Sequence, residues 1–157
     1  MSHPNAEKVA AAARDRGLEV EVREFPEGTR TAADAAAAIG VEVGQIVKSL
    51  VFSVDDEVVV ALVSGPNRLD EEKLAAAAGG SAVGRVGADA VRAATGYPIG
   101  GVPPFGHTET LRTFCDADLL AYDVVWAAAG TPRHVFSAEP QALVRVAGAE
   151  VADLTTA

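Results

Sequence analysis

The sequence predicts an α+β fold, a mixed sheet with helices on its outside. Two observations carry this. Strand pairs joined by short turns alternate with helices in no regular strand–helix rhythm, which disfavours a doubly wound parallel sheet. No G-x-G-x-x-G or G-x-x-x-x-G-K-[ST] stretch occurs, so a nucleotide-cofactor fold has no motif behind it. A length of 157 residues suggests one domain, 1–157, around a single core.

A first helix is expected from Asn5 to Arg16, with Asn5 as N-cap and Gly17 as its stop. "LEVEVREF" then alternates apolar and polar residues as a half-exposed strand does. Thr31 opens "TAAD", a capping-box-like start, and Gly40 closes that helix. "QIVKSLVF" and "EVVVALVSG" read as two strands joined at Asp55 and Asp56. Asp70 caps a helix with Glu71 and Glu72 in its first turn, where negative charge is favoured, and Gly79 stops it. A short strand near Ala82–Val86 and a helix over Ala88–Ala94 come next. "TLRTFCD", "DVVWAAAG" and "HVFSA" read as strands. Ser137 is the expected cap of a last helix ending at Gly148, and "EVADL" fits a closing strand.

Composition narrows the function. The chain is 49% hydrophobic and 22% charged, as in an ordinary globular protein. Its net charge of −9, 13 basic against 22 acidic residues, argues against a duplex-DNA binder, which needs many phosphate contacts. A small basic pocket reading one end of an RNA remains compatible with that charge. No apolar run is long enough to span a bilayer, and the start Met1–Asn5 lacks a signal peptide's basic-then-apolar order, so a cytoplasmic protein is the simplest reading. The single cysteine, Cys115, rules out an intrachain disulfide framework and a cysteine-rich zinc site. No metal-ligand spacing such as H-E-x-x-H is present, so neither a metal nor another cofactor is expected.

Two features stand out. Lysine occurs only at positions 8, 48 and 73, and Lys48 lies inside an apolar strand, on the face of Ile46, Leu50 and Phe52. A lysine there costs free energy unless its ammonium is paired or opens into a pocket. It is either a snorkelling side chain or a cation for an anionic group such as phosphate. The second feature is "GYPIGGVPPFGH", Gly96 to His107, with four glycines and three prolines. Gly100 and Gly101 permit unusual backbone angles and close approach of a ligand, and Pro103 and Pro104 stiffen the chain beyond them. Such a segment is either a rigid surface turn or a frame that presents backbone groups to a developing oxyanion. His107 is a general base, a hydrogen-bond donor or a solvated residue before a strand, and His134 opens "HVF" facing the side opposite Val135. Cys115, in an apolar strand, reads as core, and no G-x-S-x-G elbow exists.

"GQIVKSLVF", "VSGPNRLDEEKLAAAAG", "GYPIGGVPPFGH" and "RHVFSAEPQALVRVAG", in this order, resemble the YbaK/prolyl-tRNA synthetase-associated domain family of aminoacyl-tRNA deacylases. The likeness runs from about Asn5 to the C-terminus. It implies a mostly antiparallel, barrel-like sheet surrounded by helices, and an editing hydrolase acting in trans on the ester of mischarged tRNA, with Ala- or Cys-tRNA(Pro) as substrate. It implies that Lys48 holds phosphate at the acceptor end. The family's G-x-x-x-P loop matches Gly100, Gly101, Val102, Pro103 and Pro104, whose backbone embraces the terminal adenosine and the ester. "RHVF" is similar to a "GHIF"-like strand and points to His134, with Arg133 in place of the glycine. His107 has no firm family counterpart and stays a candidate. The implied partner is the acceptor end of an aminoacyl-tRNA; whether an aminoacyl-tRNA synthetase docks alongside is left open.

Read from the residues alone, a catalytic and a non-catalytic reading stand side by side. The second is a module that binds an RNA end or a small aminoacyl or nucleotide ligand. A hydrolase with a cysteine or serine nucleophile is the third. The identity of the amino acid and the oligomeric state are left open by the sequence.

Overall fold

The structure is a computed structural model that describes residues 3–25 and 31–156. Helix α1 (Pro4–Asp15) starts one residue earlier than the sequence suggests, because His3 and not Asn5 is its cap. His3 Nδ1 accepts the Asn5 N–H at 3.0 Å, and the Asn5 side chain instead donates to the Gly130 carbonyl at 3.0 Å. The start of the helix is therefore tied to a distant turn. Of "LEVEVREF" only β1 (Val22–Glu24) is strand. Helix α2 (Ala32–Ile39) has the expected Thr31 cap, whose hydroxyl accepts the Asp34 N–H, and Gly40 leaves it in the left-handed region.

Strands β2 (Val47–Val54) and β3 (Glu57–Ser64) form the central hairpin, in register from Val47↔Ser64 to Val54↔Glu57. Both turn residues, Asp55 and Asp56, have positive φ, as a two-residue type I′ turn requires. Helix α3 (Glu71–Ala78) is capped by the Asp70 carboxylate, which accepts the Glu72 and Lys73 N–H groups. After it come β4 (Val83–Arg85), α4 (Ala88–Thr95), β5 (Arg112–Asp116), β6 (Val125–Ala128), β7 (His134–Ala138), α5 (Pro140–Ala147) and β8 (Glu150–Ala152). Ser137 is the fourth residue of β7 and not a cap; α5 begins at Pro140 after Glu139, a start that proline's fixed φ favours without side-chain help. Two short 3-10 turns, Val43–Gln45 and Ala117–Ala121, had no counterpart in the sequence pattern.

The strands make two sheets, ordered β4-β2-β3-β5-β8 and β1-β7-β6. Four of the six pairings are antiparallel, while β3–β5 and β5–β8 are parallel. The sheet is mixed and mostly antiparallel, but it does not close, so the barrel-like expectation is too strong. Among the described residues the sheets meet at a single bridge, Ile46↔Trp126.

Both faces of the five-stranded sheet are covered. Val47, Val60, Leu62 and Cys115 pack with Val9, Tyr97, Phe105 and Phe136 in the larger core. On the other face Val59, Ala61, Val63 and Phe114 pack with Leu74 and Leu154, joined by Leu50 and Phe52. Burying apolar area at about 25 cal/mol per Å² is the main favourable term. A sheet sandwiched this way leaves few places where a ligand can reach a strand.

Candidate functional site

One such place exists, and it is made by pairing that stops short. β4 covers β2 only opposite Phe52, Ser53 and Val54. At the other end β6 touches the chain at Ile46. Between them, residues 48–51 of β2 have a strand edge with no partner strand among the described residues. Parity from the two-residue turn makes Val54, Phe52, Leu50 and Lys48 the residues whose main chain bonds to β3. The main-chain N–H and C=O of Ser49 therefore point into the gap.

A cavity of about 630 Å³ occupies it. Its wall includes Lys48 and Ser49 of β2, Ile99, Gly100 and Val102 of the glycine loop, and Trp126 of β6, with the first turn of α2 beside them. Lys48 is the one charged residue among the described residues of the wall. Period two placed its side chain on the Leu50 and Phe52 face, as the sequence indicates.

Lys48 Nζ donates to the Asn67 carbonyl at 2.6 Å. The Asn67 side-chain amide in turn donates to Asp116 Oδ2 and Asp118 Oδ2, both at 2.8 Å. Asp116 is buried and also accepts the Ser64 N–H at 3.1 Å and the Asp118 N–H at 3.0 Å. Burial pulls the Lys48 pKa below its ordinary value, and the Asp116 charge works against that shift. Asn67 and Asp116 thus hold the lysine, and reading the sequence missed them. The available signals were a turn asparagine after β3 and an aspartate ending an apolar strand.

The glycine loop has an open and a closed part. Gly96 ends α4 at φ 86°. The Gly101 N–H donates to the Pro98 carbonyl at 2.9 Å, and Gly100, at φ 89°, is the third residue of that turn, as in a type II turn. Ile99 and Gly100 are exposed, and the Gly100 N–H donates to no group among the described residues. From Gly101 to Phe105 the loop is buried. A Cβ on Gly101 would come within 2.7 Å of Thr131 Cα, and the Gly101 carbonyl accepts the Gly130 N–H at 3.0 Å. Phe105 packs on Phe136 with ring centres 5.6 Å apart.

The structure thus brings Lys48, Gly100 and Val102 to one cavity. Gly101, Pro103, Pro104, His107 and His134 do not line it. His107 Nε2 donates to the Pro103 carbonyl at 2.7 Å, which fixes its proton on that nitrogen. It fastens the buried half of the loop. His134 is buried on the face of β7 opposite Val135, and it is Val135 that lines the cavity. His134 Nδ1 shares a 2.6 Å hydrogen bond with the Thr131 hydroxyl, its Nε2 lies 3.9 Å from Glu24 Oε2, and the His3 ring is 5.7 Å away. His3, exposed at the start of α1, lies beside this cluster.

Cys115 is buried and its thiol is pushed up to about 12 by burial and by Asp116, so it holds its proton at neutral pH and is no nucleophile. Among the described residues no group of three or more His, Cys, Asp or Glu side chains could hold a metal ion. No helix among them is long and apolar enough to cross a membrane.

Comparison with known proteins places the chain in a family. The aminoacyl-tRNA editing domain family matches residues 26–146. A protein described as a candidate Cys-tRNA(Pro)/Cys-tRNA(Cys) deacylase, EbsC of Enterococcus faecalis, is 30% identical over 128 residues, 80% of this chain and 77% of that one. Proline–tRNA ligase of Pelotomaculum thermopropionicum is 31% identical over 142 residues, which is 87% of this chain but 25% of the ligase. The chain thus spans about a quarter of the length of that relative. A crystal structure described as a candidate trans-editing enzyme for prolyl-tRNA synthetase superposes with a TM-score of 0.95 at 47% identity, covering 100% of both chains.

Proposed function

The chain belongs to the aminoacyl-tRNA editing domain family, and from that premise we propose that it hydrolyses the ester of mischarged tRNA in trans, with alanyl- or cysteinyl-tRNA(Pro) as its substrate. The observation that carries this reading is the cavity in the sheet gap, where one cation, Lys48, shares a wall with the unengaged N–H of Gly100. The terminal adenosine and its aminoacyl ester occupy the cavity, and the Lys48 ammonium takes a phosphate oxygen of the acceptor end.

Water adds to the ester carbonyl carbon, the carbonyl oxygen becomes an oxyanion, and the carbon–oxygen ester bond breaks. The products are the free amino acid and the ribose hydroxyl, which recovers a proton from the attacking water. Gly100 supplies the oxyanion with an N–H held by its turn. Among the described residues the wall offers hydroxyls and main-chain groups and no imidazole or carboxylate, and with these catalysis rests on position and on fixed dipoles. An activated ester needs little more. A second site of this kind serves accuracy, because a synthetase pocket separates similar small amino acids poorly.

A panel of mischarged tRNAs tests the reading. Release of alanine or cysteine from tRNA(Pro), with correctly charged tRNA(Pro) spared, is the expected result. Tight binding of tRNA with no release from any member, at enzyme well above substrate, would leave the non-catalytic module in its place.

A further inference from the structure

A second cavity, of about 280 Å³, adjoins the first. The two share Ser49, Leu50, Ile99, Gly100 and Val102, so they are neighbouring rooms on either side of one partition. The smaller one runs on along β2 to Phe52 and reaches Arg85 at the end of β4 and Val91 of α4.

Three observations say what it takes. First, Arg85 is its one charged residue among the described residues, exposed and paired with no acid there. Among the described residues, a chain of net charge −9 has placed a single cation in each cavity and no carboxylate in either. Second, Ser49 Oγ in the shared partition is buried and has no hydrogen-bond partner among the described residues. A buried hydroxyl is rarely left so unless something outside the protein satisfies it. Third, Ile99, 59% exposed, projects where the cavities meet, an apolar surface against which a flat ring can lie.

Lys48 and Arg85 serve different groups. Arg85 stands opposite Phe52, four residues from Lys48, about 13 Å along the strand. The Lys48 ammonium is also committed to the Asn67 side of its cavity.

We propose that the smaller cavity receives the nucleotide that precedes the terminal adenosine, its 5′ phosphate on Arg85 and the Ser49 hydroxyl bonded to the ribose–phosphate between the two nucleotides. This rests on the deacylase reading, since that reading seats the terminal adenosine next door. It makes the site a two-nucleotide reader and gives an acidic protein its local affinity for an RNA end. A guanidinium suits a phosphate because its planar fork can donate two parallel hydrogen bonds.

The test compares two probes, the dinucleotides CpA and pCpA, which differ only in the 5′ phosphate assigned to Arg85. The protein is expected to bind pCpA about tenfold more tightly than CpA, and Arg85→Gln to remove that preference. The salt dependence of pCpA binding should lose about 0.7 of its log–log slope in the same variant. Arg85→Lys should restore part of both. In turnover, Arg85→Gln should lower the ratio of kcat/KM on Ala-tRNA to that on Ala-adenosine about tenfold, through KM. Equal binding of pCpA and CpA by the unaltered protein overturns the proposal, whether or not it hydrolyses tRNA. So does an equal loss on Ala-tRNA and Ala-adenosine, which would mean that the cavity holds the amino acid. Failure of the unaltered protein on the mischarged panel, with the pCpA preference intact, would instead strike the deacylase reading alone.

Discussion

Gly101→Ala measures how tightly the glycine loop is fixed. The added Cβ would lie 2.7 Å from Thr131 Cα, 2.8 Å from Thr131 N and 2.9 Å from the Gly130 carbonyl carbon. All three are main-chain atoms, so no side chain can swing away. Forcing a methyl into such a contact costs about 1–3 kcal/mol. The same displacement stretches the bond from the Gly130 N–H to the Gly101 carbonyl, worth about 1 kcal/mol more. The expected loss is about 3 kcal/mol, a large share of the roughly 5–15 kcal/mol that holds a domain together. In a chain of this size that lowers Tm by about 6–12 °C. Gly100→Ala is the matched control. Its Cβ would meet only Pro132, at 3.7 Å, and its cost comes from φ 89°, about 1 kcal/mol. Urea unfolding followed by the fluorescence of the single tryptophan, Trp126, reads both. Deacylation should fall in each, in Gly101→Ala together with stability and in Gly100→Ala largely without it. A Gly101→Ala protein within about 0.5 kcal/mol of the parent, or less affected than Gly100→Ala, would refute the packing argument.

Lys48→Met should lower kcat/KM on mischarged tRNA about 30- to 100-fold while urea unfolding moves little, because the abandoned Asn67 carbonyl belongs to a half-buried residue next to Pro66 of the cavity wall and can take a water. An unchanged rate would remove Lys48 from the site. His107 predicts a pH effect on stability. Burial holds its pKa below the ordinary value, the Pro103 carbonyl opposes this and Arg16 adds to it. Below about pH 6.5 the unfolded chain therefore takes the proton first, and stability falls until the lower folded value is passed. Above that window His107 contributes no slope. Urea unfolding at pH 7.5, 6.5 and 5.5, values that bracket the ordinary histidine pKa of about 6.5, should show this decline in the parent and a smaller one in His107→Gln. Identical profiles would contradict it.

Local chemistry made much of the fold legible. Thr31, Asp70 and the left-handed glycines after α2 and α3 mark their helices as the sequence says, because a cap acts within three or four residues. The β2–β3 hairpin was equally plain. The start of α1 was not, because Asn5 has the composition of a cap but spends its side chain on Gly130, a partner 125 residues away. Ser137 misled for the same reason, being held in β7 by its pairing with Trp126. At the site, Lys48 was readable as a charge in the wrong place. Ser49, Ile99 and Trp126 were not, since nothing in a serine, an isoleucine or a tryptophan says that two sheets stop short of each other beside it. The placement of His134 also depends on which side of β7 is open, and that is decided by the three-stranded sheet as a whole.

An uncovered strand edge is normally a hazard, because another chain can add to it and begin a fibre. Here β4 and the Ile46–Trp126 bridge leave only residues 48–51 bare, and Ile99 and Gly100 overhang them. Four residues, about 13 Å, are shorter than the roughly five or six of a typical strand, so a docked chain would gain few main-chain hydrogen bonds there. The opening admits a small ligand and gives a foreign polypeptide little purchase. The length of β4 therefore sets solubility and access at once. Shortening it would widen the doorway and, by the same step, invite self-association.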